Sequence, residues 1–110
     1  MQAFEIADIE LRRRARGTLY HEFLRQPSMS IGLYVLAAGG TDPQRPHTED
    51  EAYVVLRGHG RIRVGDEDRE VEPGSVVFVP AHLEHYFHDI QEELSIAVFF
   101  APAEGSASRS

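Results

Sequence analysis

The sequence contains no cysteine, lysine, asparagine or tryptophan. Without cysteine there can be no disulfide, no thiolate metal site and no cysteine nucleophile. Without lysine there is no Schiff-base chemistry on a side-chain amine, since all 11 basic residues are arginine. Catalysis in this chain would therefore depend on histidine, carboxylate, tyrosine or serine side chains, with or without a metal ion.

Positive charge is also scarce. The chain carries 18 acidic against 11 basic residues, a formal net charge of −7, which argues against nucleic acid as the main partner. No apolar run approaches the ~20 residues that span a membrane, so no membrane partner is expected. Residues 1–5 lack a basic start followed by an apolar stretch, so we expect no export signal and a cytoplasmic location.

The length of 110 residues corresponds to one domain. Glycine and proline divide the chain into pieces that are short and rich in β-branched residues, and turn signals recur about every 10 residues. The pattern predicts an all-β antiparallel sandwich or barrel. The predicted strands are Leu19–Leu24, Met29–Ala37, Arg61–Val64, Arg69–Glu72, Ser75–Val79 and Ser95–Phe100.

The two ends of the chain are expected to differ from the barrel, which we assign to residues 17–102. Residues 1–16 form an N-terminal segment packed on the barrel or on a partner subunit, and Glu10–Arg16 fits either a short helix or an exposed strand. The basic cluster Arg12–Arg16 is interpreted as a solvated surface or a face for a second subunit. Residues 103–110 are small and polar, which predicts a flexible tail.

Histidines and carboxylates cluster in the middle of the chain. Five of the six histidines lie between positions 47 and 88, and the acidic run Glu49-Asp50-Glu51 follows the first of them. This combination indicates a metal site with imidazole and oxygen ligands. In an extended segment His47, Glu49 and Glu51 share one face. A ligand from a later strand would have to complete the set, and His85 is the best candidate.

Two motifs of this sequence resemble those of the cupin superfamily of small double-stranded β-helix barrels, a jelly-roll type of fold. The first runs from Gly39 to Gly58 and the second from Gly74 to Asp89. Gly39 is followed by five residues, Arg45-Pro46-His47, three residues, Glu51, six residues and Gly58. Gly74 is followed by five residues, then Pro80-Ala81-His82, His85 and Asp89. The resemblance implies the fold, whereas the superfamily covers many activities.

The resemblance implies a metal site of His47, Glu51 and His85. The family usually has a further histidine, and Arg45 stands at that position; a guanidinium cannot ligate a metal. Two histidines and one carboxylate resemble the three-ligand arrangement that leaves coordination positions open. Three alternatives remain open: Glu49 is a fourth ligand, Gln44 supplies a neutral oxygen, or the site has decayed.

Strand alternation also predicts a pocket. If Glu51 points inward, so do Tyr53 and Val55, and if His85 points inward, so does Phe87. Arg45 and Gln44 would lie near the mouth, where an arginine is suited to hold a carboxylate or phosphate. We expect Glu49 to transfer protons and Tyr53 to donate a hydrogen bond in catalysis. The predicted pocket residues are Gln44, Arg45, Val55 and Phe87.

These features favour a metal-dependent enzyme, isomerase-like or dioxygenase-like, acting on a small anionic or oxygen-rich substrate. The metal would be a divalent ion such as Fe, Mn, Zn or Ni. The alternatives are a non-catalytic module that binds a small ligand and a barrel whose metal site is degenerate. We also expect a homodimer, because small open barrels cover their edge strands by pairing. Leu19–Leu24 and Ser95–Phe100 are the candidate contacts.

Overall fold

A computed structural model describes residues 1–108 of the chain. It confirms an all-β protein with one α-helix before the strands. None of the helices in residues 1–108 is long and apolar enough to cross a membrane. In chain order the elements are α1 (Ile6–Arg16), β1 (Tyr20–Gln26), β2 (Met29–Leu36), β3 (Asp50–Val64), β4 (Glu67–Val71), β5 (Val76–Val79), β6 (His85–Ala101) and a short 3-10 helix (Ser106–Ser108).

The strands pair antiparallel in the order β1-β2-β6-β3-β4, and β5 pairs with β3. Strands β3 and β6 are long and pair along most of their length, but their register shifts three times between Val55 and Arg61. Gly58 lies inside this irregular stretch at φ +92, and a Cβ there would stand 2.1 Å from the carbonyl oxygen of Glu93. Only glycine fits so close an approach, and register shifts of this kind bend and twist a strand pair.

The barrel interior follows from strand alternation. Along the first half of β3, residues 51, 53 and 55 are buried and their neighbours are more exposed. In β6, His85 and Phe87 are buried in the same way. The expectation that Glu51, Tyr53, Val55, His85 and Phe87 point inward is therefore confirmed. The apolar part of the core is formed by Tyr34, Leu36, Tyr53, Val55, Ile62, Val71, Val79, Phe87, Ile90, Leu94, Ile96, Val98 and Phe100.

The N-terminal segment is a helix, which settles the choice between helix and exposed strand. Helix α1 buries Ile9 against Leu33 and Val35 of β2, on the outside of the barrel. It ends at Gly17, whose φ of +70 is the left-handed conformation that glycine adopts readily at helix ends. Part of the basic cluster is neutralised locally, since Arg13 pairs with Glu10 at 2.7 Å.

One of the two expected dimer contacts is wrong. The run Ser95–Phe100 lies inside β6 and is paired with β2 on one side and β3 on the other, so it offers no free edge. Strand β1 pairs with β2 alone in the described sheet and does offer one. The homodimer itself stays a prediction.

Residues near the end of the chain make specific contacts with the barrel. Ala103 is only 1% exposed, and the N–H of Glu104 donates to Ser30 Oγ at 2.9 Å. The Glu49 carboxylate accepts from the N–H groups of Gly105 at 2.8 Å and Ala107 at 3.0 Å. Residues 103–107 thus contact the barrel, whereas the flexible tail over 103–110 stays a prediction, and its last two residues lie outside the described range.

Candidate metal centre

Three side chains meet on one wall of the barrel. Glu51 Oε1 lies 3.1 Å from His85 Nε2 and 4.0 Å from His47 Nε2, and one ligand atom from each residue falls within 4.8 Å of the other two. Ligand atoms bound at 2.0–2.2 Å to one cation are themselves about 3–4 Å apart. The three residues therefore have the spacing that a shared metal ion requires.

The fold explains why residues so far apart in sequence converge. Glu51 is the second residue of β3 and pairs with Val79, the last residue of β5. The chain then turns through residues 80–84 and enters β6 with His85. Within that turn, the N–H of His82 donates to the carbonyl oxygen of His47 at 2.7 Å. This contact ties the loop that carries His47 to the turn that precedes His85.

Among residues 1–108, His82 and Asp89 are the non-glycine residues with a positive φ, of +68 and +47. This left-handed conformation is one that His, Asp and Asn adopt more readily than most residues.

Both carboxylate oxygens of Glu51 and the Nε2 atom of His85 are buried and unsatisfied. Glu51 and His85 are each 2% exposed. Among residues 1–108, no group forms a hydrogen bond with either carboxylate oxygen of Glu51 or with His85 Nε2. The 3.1 Å contact between Glu51 Oε1 and His85 Nε2 is not aligned for a hydrogen bond. Buried polar groups in proteins nearly always have a partner, and leaving a carboxylate without one is costly. A bound cation would satisfy all three atoms at once, so the residues fit a metal ion.

The ring of His85 is oriented for this role. Its Nδ1 lies 2.8 Å from the carbonyl oxygen of Leu83, and because a carbonyl only accepts, Nδ1 carries the hydrogen. Nε2 is then the nitrogen that faces Glu51 and is left to bind a metal, as in metal-binding histidines whose other nitrogen donates to a backbone carbonyl.

Burial and charge act in opposite directions on the two histidines. Burial by itself lowers the pKa of His85, but Glu51 and the Leu83 carbonyl outweigh it and raise that pKa above its ordinary value. For His47 burial dominates and lowers the pKa, with partial compensation from Glu51. His47 is therefore the more readily available as a neutral ligand, whereas a metal at His85 competes with a proton.

A cavity of about 200 Å³ opens beside two of the three candidate ligands, His47 and Glu51. Its apolar walls include Tyr20 and Tyr34, whose rings meet edge to face at 6.1 Å. A Cβ at Gly32 would lie 2.1 Å from Cζ of Tyr20, so the glycine makes room for that ring. The lining residues are Tyr20, Tyr34, Pro43, Gln44, His47, Glu51, Val98, Phe100 and Glu104.

Several pocket residues expected from the sequence lie elsewhere. Arg45 is exposed and does not line this cavity. Val55 and Phe87 are buried but lie in the core rather than at the cavity wall, and the Phe87 ring packs against Tyr53 at 4.9 Å. Glu49 binds the C-terminal segment, so its carboxylate is engaged away from the cavity. Of the predicted pocket set, only Gln44 lines the cavity.

Sequence reasoning missed the aromatic wall and Glu104. Val98 and Phe100 follow the inward alternation of β6, which the sequence pattern could have revealed. Nothing local marks Tyr20 or Glu104, because both reach the cavity through tertiary packing. Glu104 Oε2 lies 3.7 Å from His47 Nδ1, and burial, reinforced by nearby carboxylates, raises the pKa of Glu104.

Tyr53 contributes to the site through Gln44. Its hydroxyl donates to Gln44 Oε1 at 2.9 Å, and the same oxygen lies 3.3 Å from His47 Nε2. The phenol itself is fully buried, and burial raises its pKa well above the ordinary value, so that it remains protonated. Tyr53 is placed to orient Gln44, whereas it does not itself line the cavity.

Known proteins share this fold and sequence pattern. The family model described as "Cupin domain" matches residues 32–101. The chain is 48% identical over 104 residues to an uncharacterized protein of Streptomyces coelicolor, covering 94% of this chain and 99% of that protein. It is 30% identical over 106 residues to an acireductone dioxygenase of Bacillus cytotoxicus, covering 90% of this chain but only 60% of the dioxygenase.

Solved structures agree with the fold. The TT1209 protein of Thermus thermophilus superposes with a TM-score of 0.72 at 26% identity, covering 94% of this chain and 99% of that one. A cupin 2 conserved barrel domain protein of Rhodopseudomonas palustris gives a TM-score of 0.69 at 23% identity, covering 77% and 61% of the two chains. Together with the family match over residues 32–101, these findings show that the chain belongs to the cupin family.

Proposed function

We propose that this cupin is a metal-dependent enzyme in which a small oxygen-rich molecule reacts with dioxygen beside His47, Glu51 and His85. The observation that carries the proposal is the buried, unsatisfied Glu51–His85 pair, of which Glu51 lines a cavity of about 200 Å³. A protein stabilised only by packing gains nothing from such a pair, because two polar groups lose water without gaining hydrogen bonds.

The likeness to acireductone dioxygenases favours oxygen chemistry over the other activities of the family. The matched region covers 90% of this chain but only 60% of the Bacillus cytotoxicus enzyme, so that enzyme's activity is a proposal for this chain. Two histidines and a carboxylate leave coordination positions open, as oxygen-activating sites require. A divalent ion such as Fe, Mn, Zn or Ni held here would supply Lewis-acid chemistry or, if redox-active, a place for dioxygen.

The cavity narrows the class of substrate. Its volume of about 200 Å³ corresponds to about seven water molecules at roughly 30 Å³ each, so the substrate is small. The walls are mostly aromatic and aliphatic, and the charged residues among them are the carboxylates of Glu51 and Glu104 rather than an arginine. We therefore infer a substrate of low negative charge that presents neighbouring oxygen atoms, such as an enediol. We therefore do not propose that Arg45 holds a carboxylate or phosphate group of the substrate, as the sequence suggests.

The chain's own residues have distinct parts in this proposal. The Leu83 carbonyl keeps the His85 Nε2 lone pair directed at Glu51. Tyr20, Tyr34 and Phe100 exclude water from one side of the substrate. Glu104 lies at the cavity wall, 3.7 Å from His47, where its carboxylate can accept a proton from a substrate hydroxyl.

Oxygen uptake tests the proposal. Metal-free protein is loaded in turn with Fe²⁺, Mn²⁺, Ni²⁺ and Zn²⁺ and mixed with a synthetic acireductone, and dissolved oxygen is followed by electrode. We expect at least one metal to accelerate uptake by about 100-fold or more over metal without protein, because single catalytic effects are commonly worth 10²-fold or more.

Two variants of strand β6 serve as a matched pair for this assay. His85→Ala removes a ligand and should abolish the acceleration, whereas His88→Ala removes an outward-facing histidine paired with Asp68 and should retain it. Equal rates for the wild type and His85→Ala, or no acceleration with any of the four metals, would contradict the proposal.

A further inference from the structure

We infer that Gln44 supplies a fourth metal ligand through its Oε1 atom and that Asp42 holds the Gln44 amide in the orientation this requires. The inference rests on the metal binding proposed above for His47, Glu51 and His85. It concerns a residue adjacent to Arg45, which stands where the family motif has its first histidine.

Gln44 is placed to act as a fourth metal ligand, which Arg45 cannot do. Arg45 is exposed, and its guanidinium cannot donate a lone pair to a metal. Gln44 instead lines the cavity, and its Oε1 lies 3.3 Å from His47 Nε2. Glu51 Oε1 lies at similar distances from the two histidines, 3.1 Å from His85 Nε2 and 4.0 Å from His47 Nε2. The amide oxygen therefore extends the same cluster of potential ligand atoms.

The amide orientation follows from its neighbours. Gln44 Nε2 lies 2.7 Å from Asp42 Oδ2, and a carboxylate only accepts, so the nitrogen of the amide must be on that side. Its oxygen is then on the side of His47, where it accepts the Tyr53 hydroxyl at 2.9 Å. A carbonyl oxygen has two lone pairs, and the second faces His47 Nε2. When His47 Nε2 binds a cation it gives up its hydrogen, which leaves that lone pair of Gln44 Oε1 for the same ion.

Asp42 is itself held rigidly. Its two oxygens also accept the Tyr34 hydroxyl at 2.6 Å, the N–H of Gln44 at 3.2 Å and the N–H of Phe87 at 2.8 Å. These donors come from β2, from β6 and from the loop that contains Asp42. Rotating the Gln44 amide by half a turn would place its oxygen against this carboxylate and its nitrogen beside the metal ligands. Both contacts would be unfavourable, so Asp42 acts as a positioning residue.

Cobalt titration tests the inference with a readout other than activity. Metal-free protein is titrated with Co²⁺, and visible absorption reports both affinity and the ligand set. Gln44→Leu removes the oxygen and Gln44→Asn shortens its reach by one methylene. We expect each to weaken Co²⁺ binding by about 10- to 100-fold and to shift the absorption bands. Arg45→Ala, which changes the exposed neighbour, should alter neither.

The outcomes separate this inference from the metal site itself. If the wild type fails to bind Co²⁺, or if His85→Ala binds it equally well, the three-residue site is wrong. If the wild type binds Co²⁺ and both Gln44 variants bind it with unchanged affinity and spectrum, the fourth ligand is wrong and the other three stand.

A crystal structure of the Co²⁺-loaded wild type gives the same answer if the variants do not fold. Gln44 Oε1 at about 2.0–2.2 Å from the ion supports the inference, since that is the usual range for oxygen ligands. A distance beyond about 3 Å overturns it, and Gln44 then serves only as a hydrogen-bond partner of His47 and Tyr53.

Discussion

At the scale of single residues, two tyrosines donate hydrogen bonds of different strength to the residues beside the candidate metal site. Tyr34 and Tyr53 both donate hydrogen bonds into the Asp42–Gln44 pair. The acceptor differs, because Tyr34 binds a carboxylate and Tyr53 binds an amide oxygen. Hydrogen bonds to charged acceptors contribute more to stability than neutral ones. The two phenols therefore support the same network with unequal strength.

Phenylalanine substitutions test this difference. Tyr53→Phe removes a neutral hydrogen bond and should lower the free energy of unfolding of the metal-free protein by about 1 kcal/mol. Tyr34→Phe removes a charge-assisted bond of 2.6 Å and should lower it by about 2 kcal/mol. Urea unfolding measures both. The reverse order, or no loss in Tyr34→Phe, would contradict the assignment of the network.

At the scale of elements, the site depends on segments whose positions are set by distant contacts. The turn over residues 80–84 is held by two hydrogen bonds, from His82 N–H to the carbonyl oxygen of His47 in the loop before β3 and from Ala81 N–H to Oδ1 of Asp50 at the start of β3. The C-terminal segment brings Glu104 to the cavity because Glu49 holds the backbone that follows it. Glu49 is thus an anchor for this segment.

Glu49→Gln tests the anchor through its pH dependence. Burial tends to raise the pKa of Glu49, but hydrogen bonds from Thr48, Gly105 and Ala107 outweigh it and lower the pKa below 4.5. A carboxylate with a lowered folded-state pKa stabilises the protein above its unfolded-state pKa, and that contribution is lost as the pH falls through the folded-state value. At pH 7 the variant should be less stable by about 1–3 kcal/mol.

The same difference should shrink as the pH falls below 4.5, the ordinary value for this group. Paired urea titrations of the wild type and Glu49→Gln at several pH values measure it. A difference that stays constant from pH 7 to pH 3 would mean that the charge of Glu49 does not hold the C-terminal segment.

At the scale of the whole molecule, the proposed metal binding should be coupled to folding. The ligands come from β3, from β6 and from the loop before β3, so an unfolded chain does not hold them together. A ligand that binds only the folded state stabilises it by mass action. The net charge of −7 also favours the approach of a cation.

Thermal unfolding with and without metal tests this coupling. At a free metal concentration 100-fold above the dissociation constant, the folded state gains about 2.7 kcal/mol. For a domain of this size the melting temperature should then rise by about 10 °C or more. Glu51→Ala should abolish the rise. If metal does not shift the wild type, or if it shifts Glu51→Ala equally, the site does not bind the ion in the way described.

The local sequence pattern predicted the site residues that lie on strands in which buried and exposed side chains alternate. Glu51 and His85 were assigned because motif spacing and period-two burial place them inside a barrel, and both are buried there. Alternation also predicts that Glu49 shares a face with His47 and Glu51, but this fails because residues 41–49 form a loop rather than a strand. Arg45, expected near the mouth, lies in the same loop. In a loop, side-chain direction is set by individual contacts.

Tertiary packing determined the remaining cavity residues and the position of the C-terminal segment. Tyr20 and Glu104 reach the cavity from the first strand and from the end of the chain, and no short-range spacing relates them to His47. Composition predicts a flexible tail and does not reveal that the backbone of residues 105 and 107 finds its acceptor in Glu49, more than 50 residues earlier in the chain. Such contacts depend on the folded barrel, which a local pattern does not describe.

The metal content of the protein tests the central claim most directly. Metal-free protein is exposed to a slight excess of Fe²⁺, Mn²⁺, Ni²⁺ or Zn²⁺, passed through a desalting column and analysed by elemental mass spectrometry. The account predicts about one ion per chain for at least one of these metals in the wild type and in His88→Ala, and almost none in His85→Ala. Less than about 0.2 ion per wild-type chain with every metal, or equal retention by His85→Ala, would contradict it.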